Sequence, residues 1–251
     1  METAHPGAVP PCPERGAFPL SRFKNGTPGR PCRPIQGRSV FMKVLLVNGS
    51  PHAHGCTARA LKEVASALNG EGIETEIFHI GTGPVRGCIG CGGCARRSDH
   101  RCVFGDDPVN EALEIAEGCD GFVFGSPVHY ASAGGSITSF MDRMFYAGGA
   151  LMRGKPAAAV VSARRAGTTA ALDQLSKYFS ITGMPTVPSS YWPMVHGSRP
   201  EDVEQDEEGL QIMRNLGRYM AFMLKAFALA RENGLTPPEP ETPRKRTNFI
   251  R

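Results

Sequence analysis

The 251-residue chain contains no apolar run long enough to cross a membrane. Its most apolar late segment, MAFMLKAFALA (residues 220–230), is broken by Lys225 and is far shorter than the roughly 20 residues a spanning helix needs. No positively charged start followed by a short apolar stretch is present, so nothing reads as a secretory leader. There is no Gly-Lys-Ser/Thr of a nucleoside-triphosphate loop, no GxGxxG fingerprint and no internal repeat. Basic charge is also scarce outside the start of the chain. Residues 1–41 hold six Lys/Arg against two Glu, which accounts for the whole formal net charge of +4 and leaves residues 42–251 neutral. A neutral body lacks the phosphate-neutralising face of a nucleic-acid binder. These absences lead us to expect a soluble, cytoplasmic protein with no membrane and no nucleic-acid partner. In that compartment clustered cysteines read as metal-binding or catalytic before they read as disulfides.

What is there is an ordinary globular composition, 41% hydrophobic and 21% charged, sufficient for a full core. The first 41 residues carry eight Pro and five Gly without a period, too little apolar surface to offset the entropy of ordering them. The expected organisation is a disordered basic tail over 1–41, one folded domain over 42–235 with a cysteine-rich loop at 86–104, and a C-terminal tail over 236–251. Met42, directly before KVLLV, is a candidate start of the folded chain.

From Met42 strands and helices alternate. KVLLVNGS (43–50) is a continuous apolar run ending in Gly-Ser, as in a strand buried on both faces of a parallel sheet. CTARALKEVASALN is a helix stopped by Gly70. TEIFHI (75–80) is the second strand, Asp107-Pro108 opens the next helix, and GFVFGSPV (121–128) is the third strand. After the helix ITSFMDRMF come the strand PAAAVVSA (156–163), the helix TAALDQLSKYF, and a weaker edge strand PTVPSS (185–190), whose Pro188 cannot donate to a ladder. In the last helix Met213, Leu216, Met220, Met223 and Phe227 mark one stripe, which reads as core packing. Five strands alternating with five helices give an α/β doubly wound parallel sheet.

Ligands of such sheets bind at the carboxyl ends of the strands, and three loops there are unusual. NGSPHAHGCTARA places Ser50, His52, His54, Cys56, Thr57 and Ala58 at the entry to the first helix. Small hydroxyl residues and free N–H groups at a helix N-terminus suit a phosphomonoester better than a triphosphate with Mg²⁺. An ordinary βα turn with surface histidines is the competing interpretation. GSPVHYASAGGS offers the peptide edges and faces of Pro127, Val128, His129 and Tyr130 to a planar ring. SARRAGTT brings Ser162, Arg164, Gly167 and Thr168 within reach of a ring's polar rim, although Arg164 and Arg165 also fit a solvated surface. Together the loops describe a slot for a phosphate, a linker and a flat heterocycle.

KVLLVNGSPHAHGCTARAL with GSPVHYASAGGSITSFMDR resembles the flavodoxin-like NAD(P)H-dependent FMN reductases, and the CxxCxxC loop between them resembles the iron–sulfur flavoproteins of that superfamily. The resemblance covers about residues 42–195. It implies strand order 2-1-3-4-5, FMN phosphate on Ser50 to Thr57, and the isoalloxazine against Pro127 to Tyr130. It also implies a homodimer or homotetramer, and NAD(P)H or a ferredoxin-like protein as electron donor. The acceptor would be a small molecule or a protein, and no catalytic side chain is named because the flavin itself takes the electrons. Two positions depart from the family loop, which often has Arg after GSP and Asn before Thr. Here they are His52 and Cys56, so backbone replaces charge in holding the phosphate. An electron carrier with no substrate of its own, and a metal-binding interaction protein without flavin, are the alternatives.

The remaining feature is CIGCGGCARRSDHRC (88–102). Cys88, Cys91 and Cys94 cannot converge from a regular helix, but Gly90, Gly92 and Gly93 let the loop coil, and the spacing is ferredoxin-like. Following the iron–sulfur flavoproteins, Cys102 is the fourth ligand of a [4Fe–4S] cluster, with Arg86, Arg96, Arg97, His100 and Arg101 supplying compensating charge. Unligated thiols in an FMN-only reductase, a zinc site and a CGGC redox pair compete with it.

Overall fold

The computed structural model describes residues 41–243, 245 and 247. The expectations for residues 1–40 and for the last residues of the C-terminal tail therefore lie outside the described residues. Among the described residues no helix is long and apolar enough to cross a membrane.

The sheet is built around β1 (Lys43–Asn48), in which Val44, Leu45, Leu46 and Val47 are all fully buried. Their near-continuous apolar sequence follows from burial on two faces. β1 pairs in parallel with β2 (Glu74–His79) on one side and with β3 (Gly121–His129) on the other. β5 (Ala157–Ala163) extends the sheet beyond β3, and β6 (Met194–His196) forms the far edge. The two-residue β4 (Ser132–Ala133) folds back antiparallel on the end of β3. The parallel strands thus run β2-β1-β3-β5-β6, which is the expected order once the hairpin strand β4 is set aside.

Alternate residues of β1 face two separate cores. Leu45 and Val47 pack with α3 (Val109–Glu117), α4 (Gly135–Met152) and α5 (Thr168–Thr182). Val44 and Leu46 pack with α1 (Cys56–Gly70) and α7 (Glu207–Glu232). Two four-residue helices complete the chain, α2 (Gly93–Arg96) inside the cysteine loop and α6 (Pro200–Val203) before α7.

Two expectations need correction. The last strand is not at 185–190. Thr186 makes a single bridge to Ala157, the chain leaves the edge at Pro188, and pairing resumes only at Met194 after the Val161 N–H donates to the Pro193 carbonyl at 3.0 Å. Prolines lack the N–H that a continuous ladder requires, so the edge is interrupted and the loop that follows it shifts to residue 197. The stripe on α7 also drifts. Met213, Leu216 and Met220 are buried as expected, but the line continues through Leu224 and Ala228 rather than Met223 and Phe227. A straight helix of 3.6 residues per turn departs from a 3.5-residue repeat by about 20° per heptad.

Candidate functional site

A cavity of ≈ 750 Å³ opens at the carboxyl ends of β1, β3, β5 and β6, within the size range of small-molecule sites. Its first wall is the loop Ser50–Gly55 and the start of α1. Neither a side-chain cap nor an acidic residue occupies that first turn, so its N–H groups and the positive end of the helix dipole are directed at the cavity. The loop is held from behind. Asn48 Oδ1 accepts from Ser50 N–H at 3.1 Å, and His79 Nε2 lies 2.8 Å from the Ser50 carbonyl oxygen. The buried Ser50 hydroxyl accepts from His52 N–H at 3.1 Å.

The second wall is Pro127 and Val128 at the end of β3, and the third is Ser162 to Arg164 after β5. Thr57 on α1 and Ser162, both buried, place their hydroxyl oxygens 2.8 Å apart and so join the first and third walls. The fourth wall, Gly197 to Pro200 after β6, is absent from the sequence reading. Its signal is present in the sequence, GSRP following MVH, but goes unread while the edge strand is placed at 185–190. The Cys56 thiol donates to the Gly197 carbonyl oxygen at 3.4 Å and ties this wall to the first. Burial raises the Cys56 pKa and keeps it a donor.

The structure therefore brings together Ser50, His52, His54, Cys56, Thr57, Pro127, Val128, Ser162 and Arg164 along one cavity. Ala58, His129, Tyr130, Gly167 and Thr168 do not line it. Ala58 and Thr168 are buried behind it. His129 is exposed and pairs with Ser132, so Tyr130 and Ala131 form the tip of a two-residue hairpin. Both have positive φ, 50° and 57°, the conformation such a turn requires and one that costs non-glycine residues energy. Tyr130 is 105% exposed. Gly167 sits under this tip with φ +96°, where a Cβ would come within 2.5 Å of Ala131 Cα. On the other side Gln174 Oε1 accepts from Ser132 Oγ and Ala133 N–H at 2.6 and 3.1 Å.

The cysteine loop lies elsewhere on the molecule, against α4. Cys88, Cys91, Cys94 and Cys102 line one crevice with Phe104, Arg143 and Tyr146. Gly90 and Gly92 both take φ +65°, and Gly92 is the N-cap of α2. Backbone N–H groups of Gly90 and Gly93 donate to the sulfurs of Cys88 and Cys91 at 3.5 and 3.4 Å. Among the described residues no group of three or more His, Cys, Asp or Glu is arranged to hold a single metal ion. The donor set itself, four free cysteines facing one crevice, has the chemistry of a cluster, whose separate irons spread their thiolates apart. The crevice is narrow, ≈ 20 Å³, so a cluster would require outward movement of the segment around the exposed Cys88, Ile89 and Cys91.

The compensating charge expected here is largely paired off. Arg86, Arg97 and Arg101 meet Asp106, Asp99 and Glu117 at 3.5, 2.5 and 2.6 Å, and Arg96 donates to the Cys91 carbonyl oxygen at 2.9 Å. Coulomb attraction falls with distance, so these arginines act first on the adjacent carboxylates and less on a more distant sulfur. The buried cation of the loop is instead Arg143 of α4, 1% exposed and ion-paired with Asp107. The sequence signal for it is an arginine inside the apolar helix ITSFMDRMF.

A family model described as NADPH-dependent FMN reductase matches residues 42–199. The chain belongs to that family. Within it, the chain is 33% identical over 193 residues to an iron–sulfur flavoprotein of Methanocaldococcus jannaschii, covering 73% of this chain and 98% of the relative. Solved structures share the flavodoxin-like fold. A WrbA-like flavodoxin from Agrobacterium tumefaciens superposes with a TM-score of 0.53 at 14% identity, covering 74% of this chain and 98% of that one. An NADH:FMN oxidoreductase gives 0.52 at 16%, covering 72% and 89%. The family assignment makes this protein an FMN-dependent oxidoreductase of the iron–sulfur flavoprotein-like subgroup.

Proposed function

We propose that the chain binds FMN in the cavity at the strand ends, takes electrons from NAD(P)H or a ferredoxin-like donor, and delivers them to a small-molecule or protein acceptor. The observation that carries this reading is the single cavity joining an uncapped helix N-terminus to the Pro127–Val128 wall across buried hydroxyls. The first-turn N–H groups of α1 with Ser50 and Thr57 suit a phosphate dianion. Ser162 and Arg164 are placed for the linker and the ring's polar rim. Pro127 and Val128 support the ring, and the hairpin tip at Tyr130 and Ala131 stands beside it to limit access of water.

Bound FMN supplies the two-electron acceptor and donor of the reaction. The side chains fix its position rather than exchange protons with it, and we assign no side chain a catalytic role. Cys88, Cys91, Cys94 and Cys102 are the proposed ligands of a [4Fe–4S] cluster, which supplies one-electron transfer. A homodimer or homotetramer accompanies this reading, as the resemblance to the FMN reductases implies.

The direct test of the phosphate placement compares FMN with riboflavin, which lacks the phosphate. Flavin-stripped protein should quench FMN fluorescence with one site per chain and bind riboflavin at least about tenfold more weakly, since each hydrogen bond to a charged group is worth roughly 1.5–3 kcal/mol. Equal affinity for the two would contradict it.

A further inference from the structure

The four cysteines are not held alike. Cys88 and Cys91 are exposed, and their sulfurs accept only the long bonds from neighbouring glycine N–H groups. Cys102 is fixed in both backbone and side chain. Asn110 Oδ1 accepts from Cys102 N–H at 2.8 Å while Asn110 Nδ2 donates to the carbonyl oxygens of Cys102 and Phe104, each at 3.0 Å. Arg143 Nε donates to Cys102 Sγ at 3.2 Å.

The rest of the Arg143 guanidinium is also used. Nη1 pairs with Asp107 and reaches the Arg86 carbonyl oxygen at 3.5 Å, and Nη2 donates to the Phe104 carbonyl oxygen at 2.9 Å. Asp107, 2% exposed, meets the guanidinium at Nη1, on the side away from Nε–H, so the carboxylate leaves Nε to another acceptor. Nε faces sulfur instead. A thiol is a weak acceptor, whereas a metal-bound sulfur is a good one, so a buried N–H directed at this sulfur suits a metal ligand.

We propose that Arg143 is a positioning residue for the cysteine set. Its Nε–H holds the sulfur of Cys102 as the pre-set ligand to which the segment carrying Cys88, Cys91 and Cys94 adjusts, and the same bond raises the reduction potential of the cluster. Asp107 neutralises the guanidinium charge, so the effect on the potential comes from the N–H dipole at the sulfur, a lever that hydrogen bonds to cluster ligands provide. This inference rests on the reading of the four cysteines as cluster ligands.

The test reconstitutes full-length protein anaerobically with iron and sulfide and measures iron per chain together with the midpoint potentials of cluster and flavin. Two variants alter the bond, Arg143→Lys and the neutral pair Arg143→Gln/Asp107→Asn, the second guarding against misfolding from an orphaned buried carboxylate. Asn110→Ala loosens the backbone of Cys102 without touching its sulfur. We expect lower iron loading in all three. In both Arg143 variants the remaining cluster should have a more negative potential with the flavin potential unchanged, and in Asn110→Ala the cluster potential should match wild type. If neither Arg143 variant loads while both retain flavin, partial loading of Asn110→Ala supports the proposal and equal loss overturns it. An unchanged cluster potential in loaded Arg143 variants, or an equal shift in Asn110→Ala, also overturns it. Failure of the wild-type protein to take up iron sinks the cluster reading itself, an outcome distinct from the others.

Discussion

The hydroxyl oxygens of Thr57 and Ser162 lie 2.8 Å apart and connect the loop after β1 to the loop after β5. The contact aligns two groups that the sequence separates by 105 positions, and it places both on the proposed path from phosphate to ring. Replacing Ser50 and Thr57 together by Ala removes two hydroxyls beside the helix N-terminus and leaves Ser162 without its partner. Each lost bond to an anion is worth roughly 1.5–3 kcal/mol, or about ten- to a hundredfold in affinity. The double variant should therefore purify with little FMN. Full occupancy and unchanged affinity would show that the phosphate is held elsewhere.

The cysteine loop is separate from this cavity, so the two cofactors should be separable by mutation. Cys91→Ala should abolish the brown absorbance and the iron uptake of reconstituted protein while leaving FMN content at the wild-type level. Loss of both, or of neither, contradicts the assignment of Cys91.

How much of this was legible in the sequence depends on where each element sits. β1 is read correctly because it is central and apolar on both faces, and the loop after it follows from its end. The edge strand misleads, because Pro185, Pro188 and Pro193 break its ladder and the apolar pattern gives no hint that pairing resumes at Met194. The fourth wall, Gly197 to Pro200, is lost with it. Tyr130 has the right composition for a ring support, but the tight pairing of His129 with Ser132 turns it outward. Arg143 is hidden for a different reason. An arginine in a helix reads as solvent-exposed, and its burial depends on Asp107 and the carbonyl oxygens of Arg86 and Phe104, which only the folded loop brings to it.

A chain beginning at Met42 should fold and bind FMN as the full chain does. Met42 is buried and its carbonyl oxygen accepts from Glu74 N–H at 2.9 Å, whereas Phe41 is 79% exposed. Thermal melting and flavin content should match between the two forms. A lower melting temperature or loss of flavin in the shorter chain would assign the first 41 residues a structural part.

Cys119 offers a test at alkaline pH. Burial pushes its thiol up from an ordinary value near 9 to about 11. A folded-state pKa raised above the unfolded one contributes stability that is complete below pH 9 and is lost as the pH rises through 11. Burial moves the Lys155 ammonium in the opposite sense, downward, so its desolvation cost is relieved over the alkaline range. The melting temperature of wild type relative to Cys119→Ala should therefore fall between pH 8 and pH 11, with iron and FMN content the same in both proteins. A difference that stays constant with pH would contradict the shift.

The central proposal is that this chain is an FMN enzyme reduced by NAD(P)H or a ferredoxin-like donor, and an anaerobic visible spectrum recorded during titration with NADPH, NADH and then a reduced ferredoxin-like protein tests it most directly, with flavin, iron and sulfide counted per chain. We predict one FMN per chain, bleached within the mixing time by one of these donors, with about four irons and four sulfides in reconstituted protein. Protein that binds no flavin, or whose flavin is bleached by neither nucleotide and by no reduced ferredoxin-like protein, would contradict the account.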